Sequence, residues 1–493
     1  MGAQDRVPAV IALASQARPR SALTVHPDPE PRLTRSVRYG DSPSNSPGPV
    51  RPIPRVGSGP GPGPGRSGVR RIGWIVATLT LLACGGEGGT VQEGLVVPDL
   101  HPLATPAAAR SGEPNLAAGP DGVWLSWLER SGPDRHTLRL ARWDGSGWSD
   151  PVTVIDRPDL FVNWADFPAV GVLGDGTLLV HWLERSGPGT YAYDVRARLS
   201  RDGGASWTGD IRPHRDGLEV EHGFVSIQPL GDRFGLTWLD GRRTVDGDPM
   251  TLRFATITPD GQVGDEALLD GSTCDCCQTD LAVTDLGPVA VYRDRTPDEI
   301  RDIRITRRVY GRWTAGEPVH RDGWVIAGCP VNGPAVAAEG RRVAVAWFTG
   351  AAVAGDARPG SVNEAGERGR VSVAFSDDAG AAFGSPIRVD DGDAMGRVDV
   401  ALLADGSALV TWLERVEGGA EVRARRVTPE GPGPAIVVTG TAAARASGFP
   451  RSARLGDRVV FAWTEPGAGG VVRAAVARIP VPTAPHDPPG GAP

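Results

Sequence analysis

Along most of this chain, short apolar runs come in pairs joined by a tight polar turn. Each pair closes on an aromatic residue, usually followed by an acid. The aromatic anchors are Trp127, Trp182, Trp238, Tyr292, Trp347, Trp412 and Trp463, spaced 55, 56, 54, 55, 65 and 51 residues apart. The turns before them include Leu173-Gly174-Asp175-Gly176, Leu403-Ala404-Asp405-Gly406 and Leu455-Gly456-Asp457-Arg458. Gly and Asp give such turns the backbone freedom and local hydrogen bonds that a hairpin needs. After each anchor comes a third run of alternating character, as in Leu138-Arg139-Leu140-Ala141-Arg142 and Val422-Arg423-Ala424-Arg425-Arg426. Alternation at period two predicts a strand with one face covered and one wet. No stretch keeps a helical period. Three strands and usually a fourth per unit, repeated seven times, predict an all-β fold. The expected fold is a seven-bladed β-propeller of four-stranded antiparallel blades over residues 111–480, with a Gly/Ala-rich insertion at 350–368 stretching the fifth spacing.

The last unit has strands near 449–455, 458–464 and 471–478, then stops at Pro480-Val481-Pro482. Its fourth strand is missing, and an unpaired sheet edge is a liability. Residues 94–97, Gly-Leu-Val-Val, are expected to fill that slot and close the ring. Residues 84–110 then serve as linker and closing strand, and 481–493 as a loose tail. Residues 1–66 are rich in Pro, Gly, Ser and Arg, and read as disordered or as an extension from a wrongly placed start.

Composition adds two exclusions. The chain has no Lys, which removes Schiff-base and ammonium chemistry. Residues 1–83 hold 11 Arg against four acids, leaving 41 Arg against 55 acids beyond them. That acidic remainder would be repelled by phosphate backbones, so nucleic acid is not an expected partner. Arg70-Arg71 precedes an apolar run over residues 72–83, too short to span a bilayer, and then Cys84. Residues 67–83 resemble a bacterial lipoprotein signal, and Leu81-Leu82-Ala83-Cys84 resembles its lipobox. That resemblance implies cleavage before Cys84, lipid on its thiol, and a membrane-attached, exported protein. Gly85 at the next position, with no Asp there, points to the outer membrane.

Ser200-Arg201-Asp202-Gly203-Gly204-Ala205-Ser206-Trp207 matches the pattern S-x-D-x-G-x-x-W, and Ser376-Asp377-Asp378-Ala379-Gly380-Ala381-Ala382-Phe383 matches it with Phe for Trp. Trp143-Asp144-Gly145-Ser146-Gly147-Trp148 and Tyr310-Gly311-Arg312-Trp313 are weaker echoes. In such a turn Asp caps the amides, Gly permits positive φ, and the aromatic packs beneath. These boxes resemble those of the sialidase-like, BNR-repeat propellers. The resemblance makes Ser200, Asp202, Gly204, Trp207, Ser376, Asp378, Gly380 and Phe383 structural. It also raises the possibility of an exo-alpha-sialidase type of glycoside hydrolase. The family's catalytic pattern does not carry over. Sialidases have six blades, an early Arg-Ile-Pro, three Arg for a carboxylate, an Asp acid and a late Tyr–Glu pair. Here the only Arg-Ile-Pro is Arg478-Ile479-Pro480, and no Tyr follows Tyr310.

In propellers of this topology, ligands meet the face of the fourth-to-first and second-to-third strand connections. Counting back from the anchors puts Trp164, Asp166 and Phe167 there in blade 2, and Glu221 and His222 in blade 3. Cys274, Asp275, Cys276 and Cys277 follow in blade 4, Cys329 and Asn332 in blade 5, Arg397 in blade 6, and Phe449 and Arg451 in blade 7. Cys274 and Cys329 both lie 18 residues before their anchors, so they occupy equivalent places on neighbouring blades. Three chemistries remain open for the four cysteines. They are structural disulfides, with Cys274–Cys329 the natural bridge, a soft-metal clasp for Cu or Zn, and redox exchange. Trp164 is a stacking platform for sugars, Asp166 and His222 are candidate acid, base or ligand groups, and Arg397 and Arg451 are candidate anion binders. Each of these also has an ordinary structural use. An acid followed by Arg recurs after the anchors, as in Glu129-Arg130, Glu184-Arg185, Asp294-Arg295 and Glu414-Arg415, and suggests ion pairs between neighbouring blades. Blade 4 departs from the repeat with Tyr292-Arg293 in place of the Trp-Leu of blades 1, 2, 3 and 6, and the same blade carries three of the cysteines. Irregularity gathered in one blade marks it as the functional sector, Arg293 included. Two main readings follow: a monomeric surface module binding a glycan or protein ligand, or an extracytoplasmic thiolate metal or redox protein.

Overall fold

The computed structural model describes residues 99–351 and 369–479. Cys84, the lipoprotein-like signal, the 94–97 segment, most of the 350–368 insertion and the 481–493 tail lie outside these residues. Seven small antiparallel sheets form a seven-bladed β-propeller, with only two three-residue 3-10 turns among the described residues. Blade 1 is Ser111–Gly119, Gly122–Arg130, His136–Trp143 and Val152–Arg157. Blades 3 and 6 repeat this with four full strands, from His222–Leu230 to Val263–Thr273 and from Ala394–Leu402 to Gly431–Thr441. The outer edges vary. Blade 2 has three regular strands ending at Tyr193–Ser200, with an isolated bridge between Ala197 and Ile211 in the fourth position. Blade 4 ends in two short pieces, Arg312–Trp313 and Glu317–Pro318, and blade 5 in Ile387–Arg388.

The repeated aromatic anchors explain why the sheets stack. All seven are buried on the second strand of their blade. Seven clusters of buried apolar side chains fill the seven junctions, including that of blade 7 with blade 1; the cluster between blades 3 and 4 also takes in Ala165, Phe167 and Phe449 from other blades. The acid two residues after each Trp lies on the same strand face as the indole, because side chains alternate at period two. Its carboxylate therefore accepts the indole N–H: Trp127 to Glu129 at 2.8 Å, Trp238 to Asp240 at 2.8 Å and Trp412 to Glu414 at 2.6 Å. Blade 5 has Thr349 at that place, and Trp347 donates instead to Asp322 at 2.7 Å. The expected ion pair between blades forms at Glu184, which meets Arg157 on the fourth strand of blade 1, and is corrected at Glu129 and Asp294. Glu129 pairs with Arg139, and Asp294 with Arg304, each on the third strand of its own blade.

Ser200 and Ser376 open turns that Asp202 and Asp378 close. Asp202 accepts the Ser206 N–H at 2.9 Å, Asp378 accepts the Ala381 and Ala382 N–H groups at 2.9 Å, and each serine hydroxyl accepts the N–H of Gly204 or Gly380. Gly204 has φ +92°, and a Cβ there would meet Val152 at 2.7 Å, beside the Trp207 ring. These turns lie after the third strands, so they hold blades together away from the site.

The last blade, Arg451–Leu455, Arg458–Glu465 and Val471–Arg478, takes its fourth strand from Asp99–Leu103. The slot is filled by the N-terminal side of the propeller, but a few residues later than 94–97. Arg110 N donates to Gly470 O at 2.9 Å and Val472 N to Ser111 Oγ at 3.0 Å, tying the two ends beside the paired strands.

The first strands line a central channel with a cavity of about 380 Å³. In blades 1, 3 and 6 these strands carry register shifts next to Glu113, Phe224 and Arg397, which have φ of 53°, 55° and 56°. Such bulges turn a side chain out of its strand's alternation. Here they mark the rim where the fourth-to-first connections meet.

Candidate functional site

The rim residues that the sequence singled out are brought together, and most are bound to one another. Arg397 donates to the carbonyls of Ala444 and Gly448, lies 4.5 Å over the Trp164 ring, and its backbone N–H donates to Asn332 Oδ1 at 2.6 Å. Asn332 Nδ2 donates to Pro330 O at 3.1 Å. Trp164 stacks on Phe449 at 5.9 Å, and Arg451 pairs with Asp399 at 3.2 Å over Phe167.

Two further groups were not expected. Tyr193 places its hydroxyl 2.8 Å from Glu221 Oε1 and 3.1 Å from Asp166 Oδ2, and the Phe224 N–H donates to Asp166 Oδ1 at 2.8 Å. A Tyr–Glu pair therefore exists, but Tyr193 is 1 % exposed with Phe161 stacked on it at 4.0 Å, so no sugar reaches it as it stands. One hydroxyl proton cannot serve two carboxylates. Burial pushes Asp166 up to about 8 and Glu221 up to about 7. A carboxyl raised in the fold holds a proton that the unfolded chain has lost, so this group's stabilisation is full below about pH 4 and is lost progressively as pH rises from there through about 8. The loss is about 1 kcal/mol per pH unit across that window. Asp166→Asn keeps both hydrogen bonds with no proton to lose. Its melting temperature should therefore change less than the wild type's between pH 5 and pH 8, and exceed it at pH 8. Parallel curves for the two proteins would refute this assignment.

His222 lies beneath His214, with ring centroids 3.8 Å apart and planes 6° from parallel. His222 Nε2 faces Asp216 Oδ2 at 3.1 Å, and Nδ1 faces the Tyr193 carbonyl at 3.3 Å. Asp194 and Asp240 stand close by, and Arg242 pairs with Asp216 and Asp240. These donors could in principle gather an ion. An ion bound by imidazole lies in the ring plane, so two stacked parallel planes cannot share one, and Asp216, His222 and Asp240 are the remaining donor set, held by Arg242. The pair is an internal charge network that fastens blade 2 to blade 3.

The cysteines form the remaining group. The segment from Cys274 to Cys277 leaves the outer strand Val263–Thr273 and leads into the first strand of blade 4, Asp280–Thr284. Cys274 Sγ lies 3.2 Å from Cys277 Sγ and 3.9 Å from Cys276 Sγ, and these three sulfur atoms fall within 4.8 Å of one another. The four cysteines among the described residues are free thiols, so the expected Cys274–Cys329 bridge is not formed. Cys329 interacts with Cys276 instead. The reason is geometric. The C-x-C-C turn sets the Cys274 sulfur against Cys277 at 3.2 Å and leaves Cys276 as the thiol that faces Cys329.

Cations surround this cluster. Arg301 Nη1 lies 3.2 Å from Cys274 Sγ, and Glu299 holds the same guanidinium at 2.6 Å. Hydrogen bonds from Cys276 and Cys277, aided by the Arg301 charge, hold the Cys274 thiol well below the ordinary thiol range. Burial pushes Cys277 up. Arg293 is 2 % exposed and donates to the carbonyls of Asn332 at 3.0 and 2.7 Å, Arg301 at 2.6 Å and Phe348 at 2.7 Å. It occupies the place where blades 1, 2, 3 and 6 carry Leu, and it pins the loop bearing Cys329 to the loop bearing Arg301. Beside the cluster lies a cavity of about 520 Å³ walled by Asp275, Arg295, Glu299, Ser272 and Asp248. Arg295 bridges Asp275 at 3.1 Å and Glu299 at 2.9 Å. The sequence flagged Arg293 through its break with the repeat. Arg301 belongs to the irregular run Asp298-Glu299-Ile300-Arg301-Asp302 in the same blade, but nothing in the sequence tied it to Cys274.

No protein-family model matches this chain, and no curated protein matches it. Solved structures do match. A protein of unknown function from Dyadobacter fermentans DSM 18053 is 14% identical over 78% of this chain and 99% of its own, with a TM-score of 0.43. The polysaccharide lyase Uly1 is 12% identical over 75% and 90%, with a TM-score of 0.46. The phage phi92 endosialidase is 11% identical over 82% and 72%, with a TM-score of 0.41. At these scores the similarity carries no argument about activity.

Proposed function

We propose that this propeller binds a soft metal ion, Cu(I) or Zn, through Cys274, Cys276 and Cys277, and that it works outside the cytoplasm on a lipid anchor at Cys84. The convergence of three thiols within 4.8 Å carries the reading. A tetrahedral ion with metal–sulfur bonds of about 2.3 Å holds its sulfur atoms about 3.8 Å apart. The Cys274–Cys276 separation of 3.9 Å matches that, and Cys277 needs to move only by a fraction of an ångström. Thiolate donors select soft ions over Mg or Ca. Arg301 and Arg293 supply positive charge against which several thiolates can be held together.

The alternative, a glycan or protein ligand at the aromatic rim, draws on Trp164, Asp166, Asn332, Arg293, Arg397 and Arg451. The polar members of that set are already engaged within the fold, whereas among the described residues the thiols face chiefly one another and Arg301. Protein purified without reductant or chelator tests the choice by metal analysis and thiol titration. About one equivalent of metal per chain is expected, with thiols that react only after chelation. Two intact disulfides and no metal would overturn the reading.

A further inference from the structure

The four sulfur atoms form a file from surface to interior. Cys329 is exposed, Cys276 is half-buried, and Cys274 and Cys277 are 1 % exposed. Cys329 meets Cys276 and is not among the three thiols that converge, so contact along the file runs Cys329 to Cys276 to Cys274 and Cys277. An ion arriving from solvent cannot meet the inner pair first. Soft ions do not cross such a barrier as bare cations. They move by ligand exchange, with an incoming thiolate binding before the outgoing ligand leaves.

We infer that Cys329 is the exchange thiol of this centre, taking a monovalent soft ion from a small-molecule complex and handing it to Cys276. The inference rests on the soft-metal reading above. At capture the Cys329 S–H bond breaks, the sulfur binds the ion, the proton passes to solvent, and the donor's ligand leaves with its own electron pair. At transfer the Cys276 thiol loses its proton, which returns to Cys329 through solvent as that sulfur is released. No electron is gained or lost. The loop position supports this role. Cys329 follows Gly328 and precedes Pro330 on an irregular rim segment, while Arg293 grips that segment three residues later at Asn332. The exposed thiol therefore sits three residues from a fixed point of the rim.

The test mixes apo-protein, reduced and metal-free, with the coloured Cu(I) complex of bicinchoninate and follows loss of colour. Cys329→Ser should reach nearly the wild-type end point but load about tenfold more slowly. Cys277→Ser should lose the end point itself. Loading of Cys329→Ser at the wild-type rate overturns the exchange role. An end point for Cys329→Ser as low as that of Cys277→Ser also overturns it, by making Cys329 a permanent ligand. A wild-type protein that removes no Cu(I) sinks the soft-metal reading and is distinguished from both.

Discussion

Arg293→Leu is expected to destabilise the fold by about 3–5 kcal/mol, although it restores the residue that blades 1, 2, 3 and 6 carry there. Leucine fills the space, but the carbonyls of Asn332, Arg301 and Phe348 lose their donor in a buried place. Each unsatisfied buried carbonyl costs about 1–3 kcal/mol before local relaxation. In a chain of this size the melting temperature should fall by about 5–10 °C. The same change releases the Cys329 segment from the Arg301 loop, so Cys274 and Cys277 should become reactive towards a thiol reagent in the native state. A melting point within a degree of wild type, with the inner thiols still protected, would show that Arg293 fastens nothing.

Cys274→Ser should weaken soft-ion binding by on the order of 100-fold or more while leaving the melting point of the apo-protein nearly unchanged. Serine keeps the size and the hydrogen bond from Arg301 but offers a hard, protonated oxygen. Cys274 stands at the centre of the thiol contacts, so its loss separates Cys276 from Cys277 as joint donors. Titration with Cu(I) against a chelator of known affinity reads the effect. Equal affinity for variant and wild type would remove Cys274 from the site.

The architecture was legible because each blade repeats one physical solution. In most blades a Trp two residues before a carboxylate on a strand hydrogen-bonds to it and buries against the preceding blade, and that device leaves a period of about 55 residues in the sequence. Register counting also placed Cys274 and Cys329 on neighbouring blades correctly. It did not give the sulfur contacts, because position on a rim says nothing about which way a four-residue turn folds. The anion-binding expectation for Arg397 and Arg451 had the same weakness. Both reach the rim, and both find carbonyls or Asp399 there that the sequence shows only as distant letters. Tyr193, Glu221 and Asp166 lie far enough apart in the chain that only the junction between blades 2 and 3 reveals their shared proton.

The pairing of Asp99–Leu103 with Val471–Arg478 sets the order of events during folding. Partners such as Thr105 and Val472 are 367 residues apart, and joining ends so distant carries an entropic charge of about 5 kcal/mol. Six junctions can form as successive blades emerge from the ribosome, each from local sequence. The seventh must wait until Val471–Arg478 has been made. Until then the nascent chain is an open arc with one bare sheet edge at each end, and shielding those edges from a second chain is the main hazard of its synthesis.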